Sequence, residues 1–391
     1  MIQINDRASG RLIGPAGDPD WSAKKREEGP HVFLPRNHSK LRTDYPAGSS
    51  FRESDWHVLA AFWHPVAFAR EVEDRPLKRR LLDVDLVLYR SPAGVTVALD
   101  RCPHRGARLS DGVVDKGRLI CPMHGLHYDH SGACTRIPSL ADGEAAIPKK
   151  LCLSVCASVE RYGLVWTCLK GEAAWPLPDW PQLEDPGLKR IHVPSGEWAT
   201  SAGRHVENFN DVAHFPWVHL RSFGGKKSDP IPTYKVETTD TGLSFEMSYT
   251  EGGNRFPDGV KKANRKVRYI YELTYPFSTL LHVCPLGSNY VHYFADAASP
   301  VSAERTRIFQ VYTDTTGYPD FDTWTAEALI INEEDRPLVE GQSPKALPLD
   351  ISEEISIPAD RMSLAYRKGL VKRFGLGAAQ DAGAAAEARG A

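Results

Sequence analysis

Hydrophobic and polar residues alternate over short runs in the first half of the chain. The clearest runs cover residues 83–90, 94–100 and 119–129, and turn signals containing Gly, Pro or Ser separate them. Period-two alternation at this close spacing is typical of short antiparallel strands. We therefore predict a small antiparallel β domain over residues 56–170, preceded by a polar N-terminal arm over residues 1–50.

A different order of elements follows this first domain. The Pro-rich residues 171–187 predict a linker. Alternating runs between residues 233 and 315 predict further strands. Longer periodic patterns predict three helices, at about 203–222, 321–341 and 358–374. Strands followed by helices favour an α+β second domain over residues 188–375, with helices on one side of an antiparallel sheet. An Ala/Gly-rich tail over residues 376–391 is expected to be disordered.

Composition narrows the class of protein. The 391 residues suit two domains, and 48 basic against 50 acidic side chains leave a formal charge of -2. This balance argues against a nucleic-acid clamp or a polybasic membrane patch. No apolar run approaches the roughly 20 residues that a membrane helix needs. The seven cysteines, an odd number spread over a long chain, predict a reduced protein of the cytoplasm.

Two short segments each carry one cysteine and one histidine. Cys102 and His104 form a Cys-X-His pair, and Cys121 and His124 form a Cys-X-X-His pair. Two thiolates and two imidazoles can hold zinc, or a [2Fe–2S] cluster with one iron on the cysteines and the other on the histidines. Zinc fingers usually keep like ligands together, whereas each segment here supplies one of each kind, which favours the cluster.

A second pair of histidines lies near the start of the second domain. His214 and His219 are five residues apart, and Asp211 precedes His214 by three, a spacing that predicts one shared helical face. Pro216 is expected to end that helix. Two imidazoles and one carboxylate can hold Fe(II) with positions open for O₂. Because a cluster of this kind only moves electrons, such a site would be its acceptor.

These motifs together resemble one family. Three segments are similar to motifs of Rieske-type non-haem iron aromatic ring-hydroxylating oxygenases. They are CPHRGARLSDG, CPMHGLHYDHSGAC and the Asn-X-X-Asp-X-X-His-X-X-X-X-His pattern of residues 208–219. The chain looks most like the terminal oxygenase subunit of the single-subunit-type monooxygenase and demethylase branch. The resemblance covers about residues 56–370. It implies an N-terminal Rieske [2Fe–2S] domain and a catalytic domain with a START-like helix-grip fold.

The resemblance also implies the roles of individual residues. It implies that the cysteines and histidines of the two short segments are the ligands of the cluster, namely Cys102, His104, Cys121 and His124. It makes His214 and His219 ligands of a mononuclear Fe(II), with Asp335 as the third ligand and Glu333 and Glu334 as rivals for that place. It makes Asp211 the link to the cluster of a neighbouring subunit in a head-to-tail homotrimer, with a mixed α/β-subunit hexamer as the alternative.

The function expected from the resemblance is that of a terminal oxygenase component. It would use O₂ and electrons from an NAD(P)H-dependent reductase, directly or through a ferredoxin, because the chain carries no Gly-X-Gly-X-X-Gly segment for a dinucleotide. It would hydroxylate or oxidatively demethylate a small aromatic or heterocyclic molecule. The alternatives are a Rieske electron-transfer or redox-sensing protein without oxygenase activity, and a zinc-stapled binding module.

Overall fold

The computed structural model describes residues 32–33, 43–140, 146–225, 230–252, 265–316 and 321–377. Most of the predicted N-terminal arm and nearly all of the predicted tail lie outside the described residues. No helix among the described residues is both long enough and apolar enough to cross a lipid bilayer.

The first domain is built on a seven-stranded antiparallel sheet. The strands are β1 (Val32–Phe33), β2 (His64–Phe68), β3 (Leu77–Leu81), β4 (Val84–Ser91), β5 (Gly94–Leu99), β10 (Val155–Arg161) and β11 (Leu164–Cys168). The strand order is β2-β11-β10-β5-β4-β3, with β1 added on β10. A short helix, α1 (Glu53–Leu59), lies between β1 and β2 in the chain. The alternating runs at residues 83–90 and 94–100 therefore become β4 and β5, as predicted.

A small four-stranded antiparallel sheet is inserted between β5 and β10. Its order is sequential, β6 to β9. The strands are β6 (Val113–Asp115), β7 (Arg118–Ile120), β8 (His127–Tyr128) and β9 (Cys134–Arg136). Its side chains form a separate small core that contains Cys102, Cys121 and Tyr128. This insertion therefore carries both Cys/His segments.

The second domain contains a larger seven-stranded antiparallel sheet. The strand order is β12-β18-β17-β16-β15-β14-β13. The strands are β12 (Ile191–Trp198), β13 (Val236–Thr238), β14 (Gly242–Glu251), β15 (Arg265–Thr274), β16 (Ser278–Pro285), β17 (His292–Ser302) and β18 (Arg305–Asp314). Side chains alternate between buried and more exposed along β14 and β15, which is the pattern of a sheet covered on one face.

Helices contact this sheet and one another. α2 (Ala202–Asn210) contacts β16, β17 and β18, α4 (Phe321–Glu340) contacts β12, and α5 (Arg361–Phe374) contacts β13 and β14. A one-turn helix, α3 (Phe215–Val218), follows α2. The helices predicted near residues 321–341 and 358–374 correspond to α4 and α5. The α+β fold class, with a β-rich first domain and a helix-covered sheet in the second, is confirmed.

The prediction that Asp211 and His214 share the face of one helix within residues 203–222 is wrong. α2 ends at Asn210, and Asp211 is its C-cap residue in extended conformation. The Asp211 carboxylate accepts hydrogen bonds from the backbone N–H groups of Ala213 (2.9 Å) and His214 (3.2 Å), which turns the chain. Pro216 lies in the first turn of α3, where no N–H is needed. Asp211 and His214 thus meet across a turn, not on one helical face.

Candidate functional site

The two Cys/His segments fold into loops with the same hydrogen bonds. The Cys102 N–H donates to the carbonyl five residues later, and the Gly106 N–H donates back to the Cys102 carbonyl at 2.9 Å. Cys121 and Gly125 repeat both bonds, at 2.9 and 3.0 Å. Both glycines have positive φ, +75° and +64°, which allows each loop to close tightly. The loops are therefore matched although their histidines follow the cysteines at different spacings.

The four candidate ligands divide into a buried and an exposed pair. Cys102 and Cys121 are each only 1% exposed, and burial raises the pKa of the Cys121 thiol. The His104 and His124 rings are exposed and lie 4.7 Å apart between centroids. The Tyr128 hydroxyl lies 3.3 Å from the Cys102 sulfur. A [2Fe–2S] cluster with its sulfur-bound iron inside and its histidine-bound iron outside fits this arrangement.

A second group of potential ligands lies between α3 and α4. In the part of the chain that the structure describes, one group of at least three such atoms lies within 4.8 Å of one another, and it consists of His214, His219 and Asp335. The Nε2 atoms of the two histidines are 3.2 Å apart. Each lies 3.5 Å from Oδ1 of Asp335.

A carboxylate lies at hydrogen-bond distance from the Nδ1 atom of each histidine. Asp211 Oδ2 lies 2.8 Å from Nδ1 of His214, and Glu334 Oε2 lies 3.2 Å from Nδ1 of His219. With each Nδ1–H donated to a carboxylate, both Nε2 atoms present lone pairs to the same point. Asp335 Oδ1 is buried and has no hydrogen-bond partner among the described residues. The two Nε2 lone pairs and the Asp335 oxygen, which has no hydrogen-bond partner among the described residues, together suit a bound divalent cation.

Burial and hydrogen bonds shift the pKa values of these groups in different directions. Burial opposes ionisation of Asp211, but hydrogen bonds from His214 and Ala213 outweigh it and lower the pKa of Asp211. Burial lowers the pKa of His214, but Asp211 outweighs it and the net shift is upward. Burial and the neighbouring His214 lower the pKa of His219 to about 4. His219 is therefore neutral near pH 7 and free to bind a metal.

The three acids at the centre of α4 point in different directions. Asp335 faces the two Nε2 atoms, and burial raises its pKa. Glu334 contacts the opposite side of His219. The Glu333 side chain is 70% exposed and lies 3.6 Å from Arg221. Of the three rivals in the sequence, only Asp335 is placed where it can complete the group.

A cavity opens beside the three potential ligands. Eight aromatic residues line it together with aliphatic side chains, and the space, including its mouth, is about 680 Å³. Among the walls are Tyr269 and Tyr271 of β15 and Leu281 and Val283 of β16, which alternate along their strands. Trp324 closes the α4 side. Sequence reasoning did not identify these residues, because their alternation is also the signal of an ordinary sheet core.

A second depression lies on the other side of His214. It has a volume of about 1140 Å³ including open solvent, and Asp211 is one of its lining residues. The Asp211 side chain is 28% exposed. Leu338 and Ile355 also line this depression, and Ile355 is 98% exposed. Asp211 therefore connects a buried potential ligand with a surface depression whose lining is mostly polar and charged.

Comparison with known domain families agrees with this geometry. Residues 62–156 match the Rieske [2Fe-2S] domain, and residues 198–373 match the vanillate O-demethylase oxygenase C-terminal domain. The first match contains both Cys/His loops. The second contains both histidines and the acids of α4.

Whole-chain relatives point the same way. The chain is 30% identical over 322 residues to the methylxanthine N1-demethylase NdmA of Pseudomonas putida, which covers 80% of this chain and 88% of that protein. It is 36% identical over 168 residues to the oxygenase component of dicamba O-demethylase of Stenotrophomonas maltophilia, covering 40% of this chain and 46% of that protein. The solved structure of Pseudomonas putida CBB5 NdmA with caffeine has a TM-score of 0.70 at 29% identity, over 81% of this chain and 91% of that one.

A Rieske domain followed by a helix-covered sheet that gathers two histidines and a carboxylate defines the Rieske-type non-haem iron oxygenases. This chain belongs to that family, with a catalytic domain of the vanillate O-demethylase type. It is an oxygenase component that carries a [2Fe–2S] cluster and a mononuclear iron. It acts with O₂, a small-molecule substrate and a reductase or ferredoxin partner. The zinc-stapled alternative is wrong, and the electron-transfer alternative is not supported.

Proposed function

We propose that this chain hydroxylates or demethylates a small, flat aromatic or heterocyclic molecule at a mononuclear iron held by His214, His219 and Asp335. The observation that carries the proposal is the convergence of these three side chains at the end of an aromatic cavity. We further propose that the cluster is held by the four residues of the two loops, Cys102, His104, Cys121 and His124.

The protein side chains prepare the site for this chemistry. Bound there, Fe(II) supplies O₂ activation and the cluster supplies single electrons. Asp211 and Glu334 fix the two imidazoles with Nε2 toward the cavity, so no reorientation is needed on metal binding. The aromatic walls exclude water and hold a flat substrate beside the ligands.

Demethylation is the branch that we favour. The relative NdmA is a methylxanthine demethylase, and its structure with caffeine superposes over most of this chain. A flat, methylated ring system suits a cavity lined mainly by aromatic rings. Hydroxylation of a methyl carbon attached to nitrogen or oxygen gives a product that releases formaldehyde. The same oxidation thus yields either a hydroxylated or a demethylated ring.

Electron delivery, in this proposal, runs between copies of the chain. Asp211 hydrogen-bonds His214 and also reaches the second depression. Leu338 and Ile355, which both line that depression, are 57% and 98% exposed, and a group of exposed apolar side chains is typical of a protein–protein contact. On the Rieske domain, His104 and His124 are themselves exposed. We propose that the cluster loops of a second copy dock at the depression, which gives a head-to-tail homotrimer fed by an NAD(P)H-dependent reductase.

Metal analysis and substrate screening test the function directly. Anaerobically purified protein should contain about three irons and about two acid-labile sulfides per chain. A panel of methylated heterocycles and methoxylated aromatics should contain a compound that stimulates NADH consumption with a surrogate reductase, with formaldehyde and a demethylated product detected by mass. About two irons per chain in fully loaded protein would instead support an electron carrier.

Tyr128 offers a test of the proposed cluster ligands. Burial raises the pKa of its hydroxyl, which therefore stays protonated and can donate to the Cys102 sulfur. Such a bond stabilises the reduced cluster more than the oxidised one, because reduction adds negative charge. Tyr128→Phe should lower the reduction potential by about 40 mV if the difference is about 1 kcal/mol.

A redox titration followed by visible circular dichroism measures this shift. Tyr89→Phe is the matched control, because Tyr89 lies in the same small core but donates to the Asp129 carbonyl. A potential that is unchanged in both variants would contradict a hydrogen bond from Tyr128 to a cluster ligand.

A further inference from the structure

Two successive acids of α4 lie on opposite sides of one imidazole ring. Asp335 Oδ1 is 3.5 Å from Nε2 of His219, and Glu334 Oε2 is 3.2 Å from Nδ1 of the same ring. Phe223 stacks on this ring, with 4.5 Å between centroids. The His219 side chain is thereby held along both edges and on one face, and only 2% of it is exposed.

The Glu334 carboxylate lies among hydrogen-bond donors that belong to His219 and to the residues just after it. The backbone N–H of Arg221 donates to Oε1 at 2.6 Å. The Ser222 hydroxyl donates to Oε2 at 2.6 Å, beside the His219 Nδ1 contact. The Glu334 side chain is 5% exposed. A carboxylate without donated hydrogen bonds would be costly in such a place, and here both of its oxygens are satisfied.

We propose that Glu334 is a positioning residue for the mononuclear iron site. By accepting the Nδ1 proton of His219 it leaves Nε2 unprotonated and aimed at the metal. By accepting from Arg221 and Ser222 it also ties the loop after His219 to the helix that carries Asp335. Glu334 therefore couples two elements that each supply a ligand. This role deepens the proposed function and rests on the ligand set proposed above.

Glu334→Gln is a sharp probe because the two side chains have nearly the same shape. A carboxylate accepts on both oxygens, whereas an amide has one acceptor and one donor end. With its NH₂ toward Arg221, the amide meets a backbone donor. With its NH₂ toward His219, it forces the imidazole proton onto Nε2, where it blocks metal binding. Either orientation weakens the site without leaving a cavity.

Ferrous affinity measures the effect independently of turnover. Full-chain protein carrying its cluster is stripped of the mononuclear iron, and Fe(II) is titrated back anaerobically in competition with a chelator. Glu334→Gln should bind Fe(II) about 10–100-fold more weakly, with an unchanged cluster spectrum. Glu333→Gln is the matched control, because that neighbouring side chain is 70% exposed, and its affinity should equal wild type.

A second variant, Glu334→Ala, keeps the proposal testable if Glu334→Gln does not fold correctly. Glu334→Ala opens space for a small anion, so added formate should restore part of the Fe(II) affinity of Glu334→Ala and leave wild type unchanged. Ferrous affinity within about twofold of wild type for Glu334→Gln would overturn the proposal. If Glu334→Gln loses its cluster, the Ala variant decides, and absence of formate rescue would overturn the proposal equally.

Failure of the proposed function gives a different result. If wild type and His214→Ala take up Fe(II) alike, the ligand set itself is wrong. If His214→Ala loses the ion while Glu334→Gln keeps it, only the positioning role fails.

Discussion

His214→Ala should abolish substrate oxidation and leave the cluster spectrum unchanged. The variant removes one of three atoms that converge within 4.8 Å of one another. It also leaves the Asp211 carboxylate without its imidazole partner. The expected loss of turnover exceeds the roughly 10–100-fold that losing an outer partner of a metal ligand costs. The Rieske domain shares no hydrogen bond with this side chain among the described residues.

Iron content and turnover are measured on the same anaerobic preparation. His214→Ala should hold about two irons per chain against about three in wild type, because the cluster alone remains. His57→Ala is the control, since that histidine lies on α1 and is exposed. Substrate oxidation at the wild-type rate in His214→Ala would refute the assignment of the mononuclear site.

Asp211→Asn, loaded anaerobically with excess Fe(II) so that both metal centres are filled, should stop electrons from passing between them. The carboxylate accepts from Nδ1 of His214 and from two backbone N–H groups, of Ala213 and His214. An amide cannot accept at all of these positions, because one of its ends is a donor. The proposed route from the second depression to His214 is thereby interrupted. Turnover should fall by about 100-fold, the upper end for an outer partner of a ligand.

Single-turnover kinetics distinguish this defect from loss of iron. A chemically reduced cluster, mixed with O₂ and substrate, should reoxidise far more slowly in Asp211→Asn than in wild type, with iron content equal in the two. Asp179→Asn serves as control, because its side chain is 78% exposed and pairs with Arg161 away from the site. Wild-type reoxidation in Asp211→Asn would remove Asp211 from the electron route.

Local sequence was most informative where spacing alone limits the chemistry. The pairing of one cysteine with one histidine in each of two loops restricts the metals that can bind, and both loops fold alike. The alternating runs became strands, because period two places one face of a sheet inward. The turn at Asp211 was misjudged, because three-residue spacing is shared by a helical face and by a side chain that caps a turn.

The directions of side chains and the distances between them could not be predicted from the sequence. The sequence places three acids side by side at residues 333–335. The orientation of α4 relative to the His219 ring decides their roles: Glu333 is exposed, Glu334 contacts Nδ1 and Asp335 faces Nε2.

This chain's own residue order therefore determined its family, its two kinds of metal ligand and the order of its domains. Tertiary structure alone decided which carboxylate meets which nitrogen and which strand residues line the cavity. The physical reason is that ligand type and spacing are local properties of a segment. The meeting of α4 with a loop about 115 positions earlier depends instead on how helices pack on the sheet.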